Sequence, residues 1–158
     1  MKKCAKNGID IIYSELLGLH IEIEYNTGLR SIKFLNPSKN HKEKKTLDTT
    51  FELERYFEGE MIKFSSDLNI SHLSQFEQKV LEETKKIKYG STITYSQLAD
   101  KIGCGGARAV GNALGKNPIP IIIPCHRVVA KKGIGGYSAG IDIKTRLLEL
   151  EKRNVNNL

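Results

Sequence analysis

Two short helical stretches meet at Gly103-Cys104-Gly105-Gly106, and that junction constrains the fold more than any other feature. Three glycines in four residues open backbone angles that other residues avoid, so the chain can reverse sharply there. Before the turn, Thr94-x-x-Gln97 is a capping box that opens a helix with Leu98, Ala99 and Ile102 facing inward. After it, Ala107 to Gly115 reads as a helix of small residues. Helix, glycine turn, helix at this size is the helix-turn-helix pattern. An earlier capping box, Ser74-x-x-Glu77, opens a helix striped by Phe76, Val80, Leu81 and Ile87 that runs to Lys88, with Tyr89-Gly90 as its stop. Asp142 reads as the N-cap of a last helix carrying Leu147, Leu148 and Leu150.

The first 70 residues have a different grain. Ile9 to Leu17 reads as a strand. Leu19, Ile21, Ile23 and Tyr25 then alternate with His20, Glu22 and Glu24, the period of a half-buried strand. Asn26-Thr27-Gly28 is a turn, and Ile32 and Phe34 mark the return strand. Pro37 to Lys45 is a polar loop. Thr49-Phe51-Glu52 resembles a capped helix start that Gly59 would stop, with a short strand expected around Ile62 to Phe64. The chain thus reads as α+β in two domains, 1–70 and 71–158, joined by a linker near Asp67 to His72. The first domain carries no catalytic constellation and reads as a scaffold.

Charge separates the halves as well. Residues 1–70 balance, so the whole excess of +7 lies in residues 71–158. One-sided positive charge favours a polyanion, nucleic acid first, although a solvated lysine-rich surface would look the same. Cys4, Cys104 and Cys125 are too widely spaced for a zinc site, and neither metal nor cofactor is expected. Lys6 and Asp10 break any apolar core of a signal peptide, and the longest apolar run, Pro118 to Cys125, is far too short to span a bilayer. A reducing cytoplasm is the expected setting for free thiols.

That apolar run ends in Pro124-Cys125-His126-Arg127-Val128. A lone cysteine is most often a small buried hydrophobe. Here a proline precedes it and basic groups follow, and basic neighbours favour the nucleophilic thiolate. Cys125 at the end of a hydrophobic strand therefore reads as a held nucleophile. In the helix after the glycine turn, tiny side chains surround Arg108. They would let the backbone approach DNA closely, leaving Arg108 to enter a groove or the base stack. The same small residues would also serve close packing on the preceding helix.

The stretch Asn117-Pro118-Ile119-Pro120-Ile121-Ile122-Ile123-Pro124-Cys125-His126-Arg127-Val128 resembles the signature of the O6-alkylguanine-DNA alkyltransferases, also called methylated-DNA–protein-cysteine methyltransferases. The resemblance extends through Thr94-Tyr95, Arg108-Ala109-Val110-Gly111, Gly136-Tyr137-Ser138, Lys144, Leu147-Leu148 and Glu151, over about residues 74–153. It implies a small ribonuclease-H-like α/β domain followed by a winged helix-turn-helix domain that bears the active site. It also implies a monomer that acts on double-stranded DNA containing O6-alkylguanine, and on O4-methylthymine, in one irreversible turnover.

By the same resemblance Cys125 is the alkyl acceptor, His126 its base through a water, and Glu151 the group that orients His126. Asn117 is the hinge to the active-site segment, and Tyr95 donates a proton to the guanine ring. Ser138 bonds the O6 side of the lesion. Leu114, Val128 and Tyr137 line the base pocket with Tyr95 and Ser138. Arg108 fills the gap left by the extruded nucleotide, and Thr94, Ala107, Ala109 and Gly111 lie against the DNA. A base inside a duplex must be flipped out before its substituent can be attacked. The departures are a turn at 103–106 one residue shorter than is usual, Ala139 where glycine is common, and no tryptophan. The competing classes are a base-flipping sensor that cannot react and a Cys-His hydrolase. The first would lack Cys125, and the second gives no reason for Arg108 or the lopsided charge.

Overall fold

In a computed structural model that describes residues 7–158, alternation at Leu19–Tyr25 becomes the middle strand of a three-stranded antiparallel sheet. Cys4 and the N-terminal lysines lie outside the described residues. The chain divides into two units, 1–70 and 71–158. The first holds β1 (Gly8–Ser14), β2 (Leu19–Tyr25), β3 (Leu29–Phe34) and helix α1 (Asp48–Phe57). The strand order is β1-β2-β3, with Ile12 opposite Ile21 and Ile23 opposite Ile32. Those isoleucines are buried on one face, and Tyr13 on the other is exposed. The period of two thus sends one set of side chains to the core.

Three local expectations fail here. The first strand stops at Ser14, short of Leu17, because Gly18 takes a left-handed φ of 68° and its amide donates to the Ser14 carbonyl at 2.8 Å. No strand forms at Ile62 to Phe64. The residues that follow are tied to α1 through side chains, Ser65 to Glu52 and the Ser66 hydroxyl to the Thr49 hydroxyl, and the backbone pairs only later, at Leu68 with Leu29. The Thr49–Glu52 capping box is absent as well. Helix α1 begins at Asp48 with no side-chain cap from its own end residue, Leu47. The cap comes from β1: the Asp10 carboxylate accepts from the Leu47 amide at 2.8 Å, the Thr46 amide at 2.5 Å and the Thr50 hydroxyl at 2.6 Å.

The second unit begins with α2 (Gln75–Thr84), whose Ser74–Glu77 capping box is formed. The helix ends at Thr84 and does not run on to Lys88. The Thr84 hydroxyl bonds back to the Val80 carbonyl at 2.7 Å, and the Lys86 and Ile87 amides close tighter three-residue turns. A short strand β4 (Ile93–Thr94) leads into α3 (Tyr95–Ile102), with the Thr94–Gln97 capping box formed. Gly103 caps α3 in the left-handed region at φ 74°, and Gly105 repeats that conformation at φ 75°, so the four-residue turn needs its glycines. Helix α4 (Ala107–Gly115) follows.

Residues Cys125–Arg127 form a single 3-10 turn leading into β5 (Val128–Val129), which pairs in parallel with β4. Helix α5 (Ile141–Asn156) closes the chain; Gly140 occupies its N-cap and Asp142 falls inside the first turn. The core of this unit includes Val80, Leu98, Val110, Ile119, Ile123, Val128 and Leu147. Together the described residues form a mixed α/β architecture of five α-helices and two small sheets. None of those helices is long and apolar enough to cross a membrane.

Candidate active site

The segment that delivers Cys125 is strained, and is not a strand. Ile121 has φ 74°, a conformation that a β-branched residue rarely adopts, and it is buried. Outliers of this kind persist only where surrounding structure over-determines them. Asn117 supplies part of that constraint. Its side-chain amide donates to the Ile123 carbonyl at 2.9 Å, and its oxygen accepts from the Ile119 amide at 2.9 Å. Asn117 thus clamps both ends of the 119–123 loop. Pro124, at φ −81° and ψ 64°, centres a tight inverse turn in which the Cys125 amide donates to the Ile123 carbonyl at 2.8 Å. The Arg127 amide then reaches the Pro124 carbonyl at 2.9 Å. Successive residues of a 3-10 turn point about 120° apart, so the Cys125 side chain is directed away from those of His126 and Arg127, which both reach Glu151.

His126 and Arg127 turn toward α5. His126 Nε2 lies 2.7 Å from Glu151 Oε1, and Arg127 makes a two-point contact with the same carboxylate at 2.9 and 2.8 Å. Arg127 also donates to the Ile87 carbonyl at 2.7 Å, and the Gly90 amide donates to Glu151 at 3.1 Å. All three side chains are buried. Burial alone would raise the Glu151 carboxyl, but the bonds from His126 and Arg127 outweigh it and bring it to about 2. Glu151 is therefore an acceptor only, so the proton of that contact belongs to His126 Nε2. Burial also lowers the His126 pKa, against the pull of Glu151, which keeps the ring neutral at neutral pH. The remaining nitrogen, Nδ1, then carries a free lone pair, and it makes no hydrogen bond to a protein atom.

Cys125 is only 8% exposed. Burial pushes its thiol above the ordinary value, and the nearby Asn117 and Tyr137 side chains and the charge of Lys144 offset this only partly. The thiolate expected from the neighbouring His126 and Arg127 is thus not the resting state, because both side chains are turned to Glu151 instead. The groups that favour sulfur ionisation come from elsewhere. Lys144 is the one the sequence left without a role. Its ammonium donates to the Val128 carbonyl at 2.7 Å and the Gly136 carbonyl at 2.9 Å, and stands 3.5 Å from the Tyr95 hydroxyl. Burial lowers it to about 8. A signal was present: Lys144 and Glu151 occupy the same helical stripe as Leu147, one turn apart each, and two charges inside an apolar stripe need partners.

Tyr95 opens α3 directly after β4, and the β4–β5 pairing sets Thr94 beside Val129. The Tyr95 hydroxyl donates to the Gly136 carbonyl at 3.3 Å, and burial raises its pKa. Gly135 lies against this ring: a Cβ there would stand 2.9 Å from Cε2, so the returning loop has room only for glycine. Ser138 is exposed and donates to the Gly115 carbonyl at 3.3 Å. Leu114 and Val128 are buried. The structure therefore brings Cys125, Asn117, Tyr95, Tyr137 and Lys144 to one place, with His126, Arg127 and Glu151 behind.

Helix α4 presents two faces. Val110, Ala113 and Leu114 are buried, whereas Ala107 and Arg108 are exposed. Gly111 faces the Tyr95 ring, where a Cβ would meet it at 3.9 Å, ordinary contact. Small residues thus serve packing on the inner side, and Arg108 projects from the other. Cys104 is exposed in the turn. Among the described residues no group of three or more His, Cys, Asp or Glu is placed to hold a metal ion.

Residues 75–153 match the family model described as 6-O-methylguanine DNA methyltransferase, DNA binding domain. The chain belongs to this family. Similar curated proteins are methylated-DNA–protein-cysteine methyltransferases of Saccharolobus islandicus, 50% identical over 99 residues (63% of this chain and 64% of the relative), and Metallosphaera sedula, 46% identical over 99 residues (63% of each). The alignments therefore span just under two thirds of those relatives. Among solved structures, the Mycobacterium tuberculosis O6-methylguanine methyltransferase superposes with a TM-score of 0.78 at 35% identity, covering 94% of both chains. The M. tuberculosis OGT in complex with DNA gives 0.77 at 36% identity, covering 91% of this chain and 92% of that one. The methyltransferase family's matched segment includes all the side chains gathered at Cys125.

Proposed function

We propose that the protein repairs DNA by direct reversal, moving a methyl or larger alkyl group from O6-alkylguanine in double-stranded DNA, and from O4-methylthymine, onto Cys125. What carries this reading is Cys125 itself: it follows a clamped, strained loop inside the family-matched segment and is succeeded by a buried neutral histidine with a free Nδ1 lone pair. His126 takes the thiol proton through a water, and the ionised carboxylate of Glu151 offsets the positive charge that the ring then carries. Sulfur attacks the alkyl carbon, a C–S bond forms, and the C–O6 bond breaks with its electron pair passing to guanine. Tyr95, kept protonated by burial, donates to the ring so that guanine leaves neutral. The product is a thioether with no labile bond for water to cleave, hence one turnover per molecule.

The remaining assignments follow the same reading. The second unit is a winged helix-turn-helix, α3 and α4 being its helix pair and the loop after β5 its wing. Arg108, exposed on α4, fills the gap left by the flipped nucleotide, and Thr94, Ala107, Ala109 and Gly111 let the helix pair approach the strand. Leu114, Val128, Tyr137 and Ser138 enclose the base, with Ser138 toward O6. Asn117 holds the segment between helix and nucleophile. The first unit is a ribonuclease-H-like scaffold, and the protein works as a cytoplasmic monomer. Phosphate neutralisation makes the affinity fall with salt.

The test is intact mass after mixing with an oligonucleotide duplex carrying O6-methylguanine. One added methyl on Cys125, absent in Cys125→Ala, is expected. An unchanged mass with tight binding would replace this function with that of a damage sensor.

A further inference from the structure

Among the described residues three buried side-chain atoms have no hydrogen-bond partner: His41 Nε2, His126 Nδ1 and the Tyr137 hydroxyl. His126 Nδ1 already has a task as the base. The Tyr137 hydroxyl has none if the residue is only a wall of the base pocket, and a buried polar group without a partner needs an explanation. It makes no hydrogen bond in the resting protein, and the group it faces is the Cys125 thiol. A neutral thiol is a weak acceptor, whereas an anion forms strong hydrogen bonds. The hydroxyl is therefore poorly used while the sulfur is protonated and well used once it is not.

The surroundings of the sulfur point the same way. The groups facing it are the Asn117 amide from the segment after α4, Tyr95 from α3, Tyr137 from the loop before α5, and the Lys144 ammonium from α5. None is a carboxylate. Glu151, the buried acid of the site, is committed to His126 and Arg127. Lys144 donates to carbonyls and approaches hydroxyl and thiol groups, and no acid among the described residues pairs with it. The groups facing the sulfur are donors.

We infer that Tyr137 is a catalytic hydrogen-bond donor to Cys125, its hydroxyl stabilising the sulfur anion with Lys144 as the opposing charge. This deepens the alkyl-transfer reading and rests on it for the natural substrate. The step balances simply: the thiol proton leaves toward His126, the Tyr137 proton stays on its oxygen, and the hydrogen bond relaxes when sulfur becomes a neutral thioether. Tyr137 is suited to remain the donor, because burial raises its own pKa well above the ordinary value.

Stabilising a nucleophile also weakens it, and magnitudes decide the outcome. For thiolates the loss of intrinsic reactivity is about 0.4–0.5 of a log unit per unit of pKa, while below the pKa each unit gains tenfold in anion. The net gain near neutral pH is about threefold per unit, and it reverses above the pKa. This gives a signature that a packing role does not share.

The test is Tyr137→Phe, which deletes one oxygen. The rate of Cys125 alkylation by iodoacetamide is followed against pH by peptide mass, which separates Cys125 from Cys104 and needs no DNA. The midpoint is expected to move up by about one to two pH units. The variant should be about three- to tenfold slower at neutral pH and equal or faster at high pH. Methyl uptake from the modified duplex should show the same crossing. A curve that is unmoved, or lowered equally at every pH, overturns the inference. So does a lower melting temperature of the unmodified variant, since that would give the hydroxyl a structural partner. If iodoacetamide shows the crossing and the duplex never delivers a methyl, the donor role stands and the alkyl-transfer reading falls.

Discussion

Each unit of the molecule buries a carboxylate, and the two are satisfied in opposite ways. Asp10 in the first unit takes neutral donors: the amides of Thr46 and Leu47 and the hydroxyls of Thr46 and Thr50. Burial opposes its ionisation, yet those bonds hold its pKa below the ordinary value. Glu151 in the second unit takes His126 and Arg127, with one amide from Gly90. Neutral donors make a staple that joins β1 to the start of α1 and has nothing to do afterwards. A carboxylate that fixes the tautomer of a histidine leaves a lone pair elsewhere that can do chemistry. The partners, and not the burial, separate a structural acid from a positioning one.

The largest expected effect that sharpens this contrast is Glu151→Ala. It strands Arg127 and His126 in the interior, and breaking a buried pair costs about 3–5 kcal/mol. Methyl transfer by the molecules that remain folded should also fall, because His126 loses its fixed tautomer. Denaturant midpoints and single-turnover rates measured together decide it. Lost stability with an unchanged rate per folded molecule would make Glu151 as purely structural as Asp10.

Acid should read the same site next. The Glu151 carboxyl stands at about 2 in the fold against an ordinary 4.5, so on acidification the unfolded chain takes up this proton first. The stabilisation is complete above pH 4.5 and is lost as the pH falls toward 2. At about 1.36 kcal/mol per unit it is on the order of 3 kcal/mol. Unfolding free energies of the parent and Glu151→Gln, compared from about pH 6 downward, isolate this share from that of Asp10. Parallel curves would remove the assigned shift.

Asp10→Asn should cost less, about 1–3 kcal/mol, because the new amide nitrogen cannot accept and leaves donors unsatisfied. Here the transfer rate of folded protein should not change. A slowed rate would mean that the staple reaches the chemistry after all, and the contrast would break from its other side.

These two acids also mark what the sequence could reveal. Ser74–Glu77 and Thr94–Gln97 were legible because a capping box closes within four residues. The cap of α1 was not, because its acceptor lies on β1, 36 to 40 residues away, while the local Thr49–Glu52 pattern mimicked the real device. Cys125 was singled out by its neighbours, but the reason offered, a thiolate favoured by His126 and Arg127, fails because both turn to Glu151. A strand would have sent His126 and Arg127 to alternate faces; the 3-10 turn sends both toward α5. The groups beside the sulfur, Asn117, Tyr137 and Lys144, come from three distant stretches. No spacing rule links them; the family resemblance named Asn117 and Tyr137, and for Lys144 the only physical hint was the pair of charges in the α5 stripe.

Arg108 supplies the smallest effect on stability and so calibrates the others. It is exposed on α4 and outside both buried networks, so Arg108→Ala should leave unfolding free energy within about 0.5 kcal/mol of the parent. Its consequence should appear only in duplex DNA, where the vacated stack needs filling. Repair of the methylated duplex is expected to slow, while reaction with free O6-methylguanine base is unchanged. Equal slowing on both substrates would tie Arg108 to the sulfur's surroundings and take it out of the flipping step. A change in stability as large as that of Asp10→Asn would show that exposure is a poor guide to what this unit depends on, and would weaken the contrast between acids that rests on it.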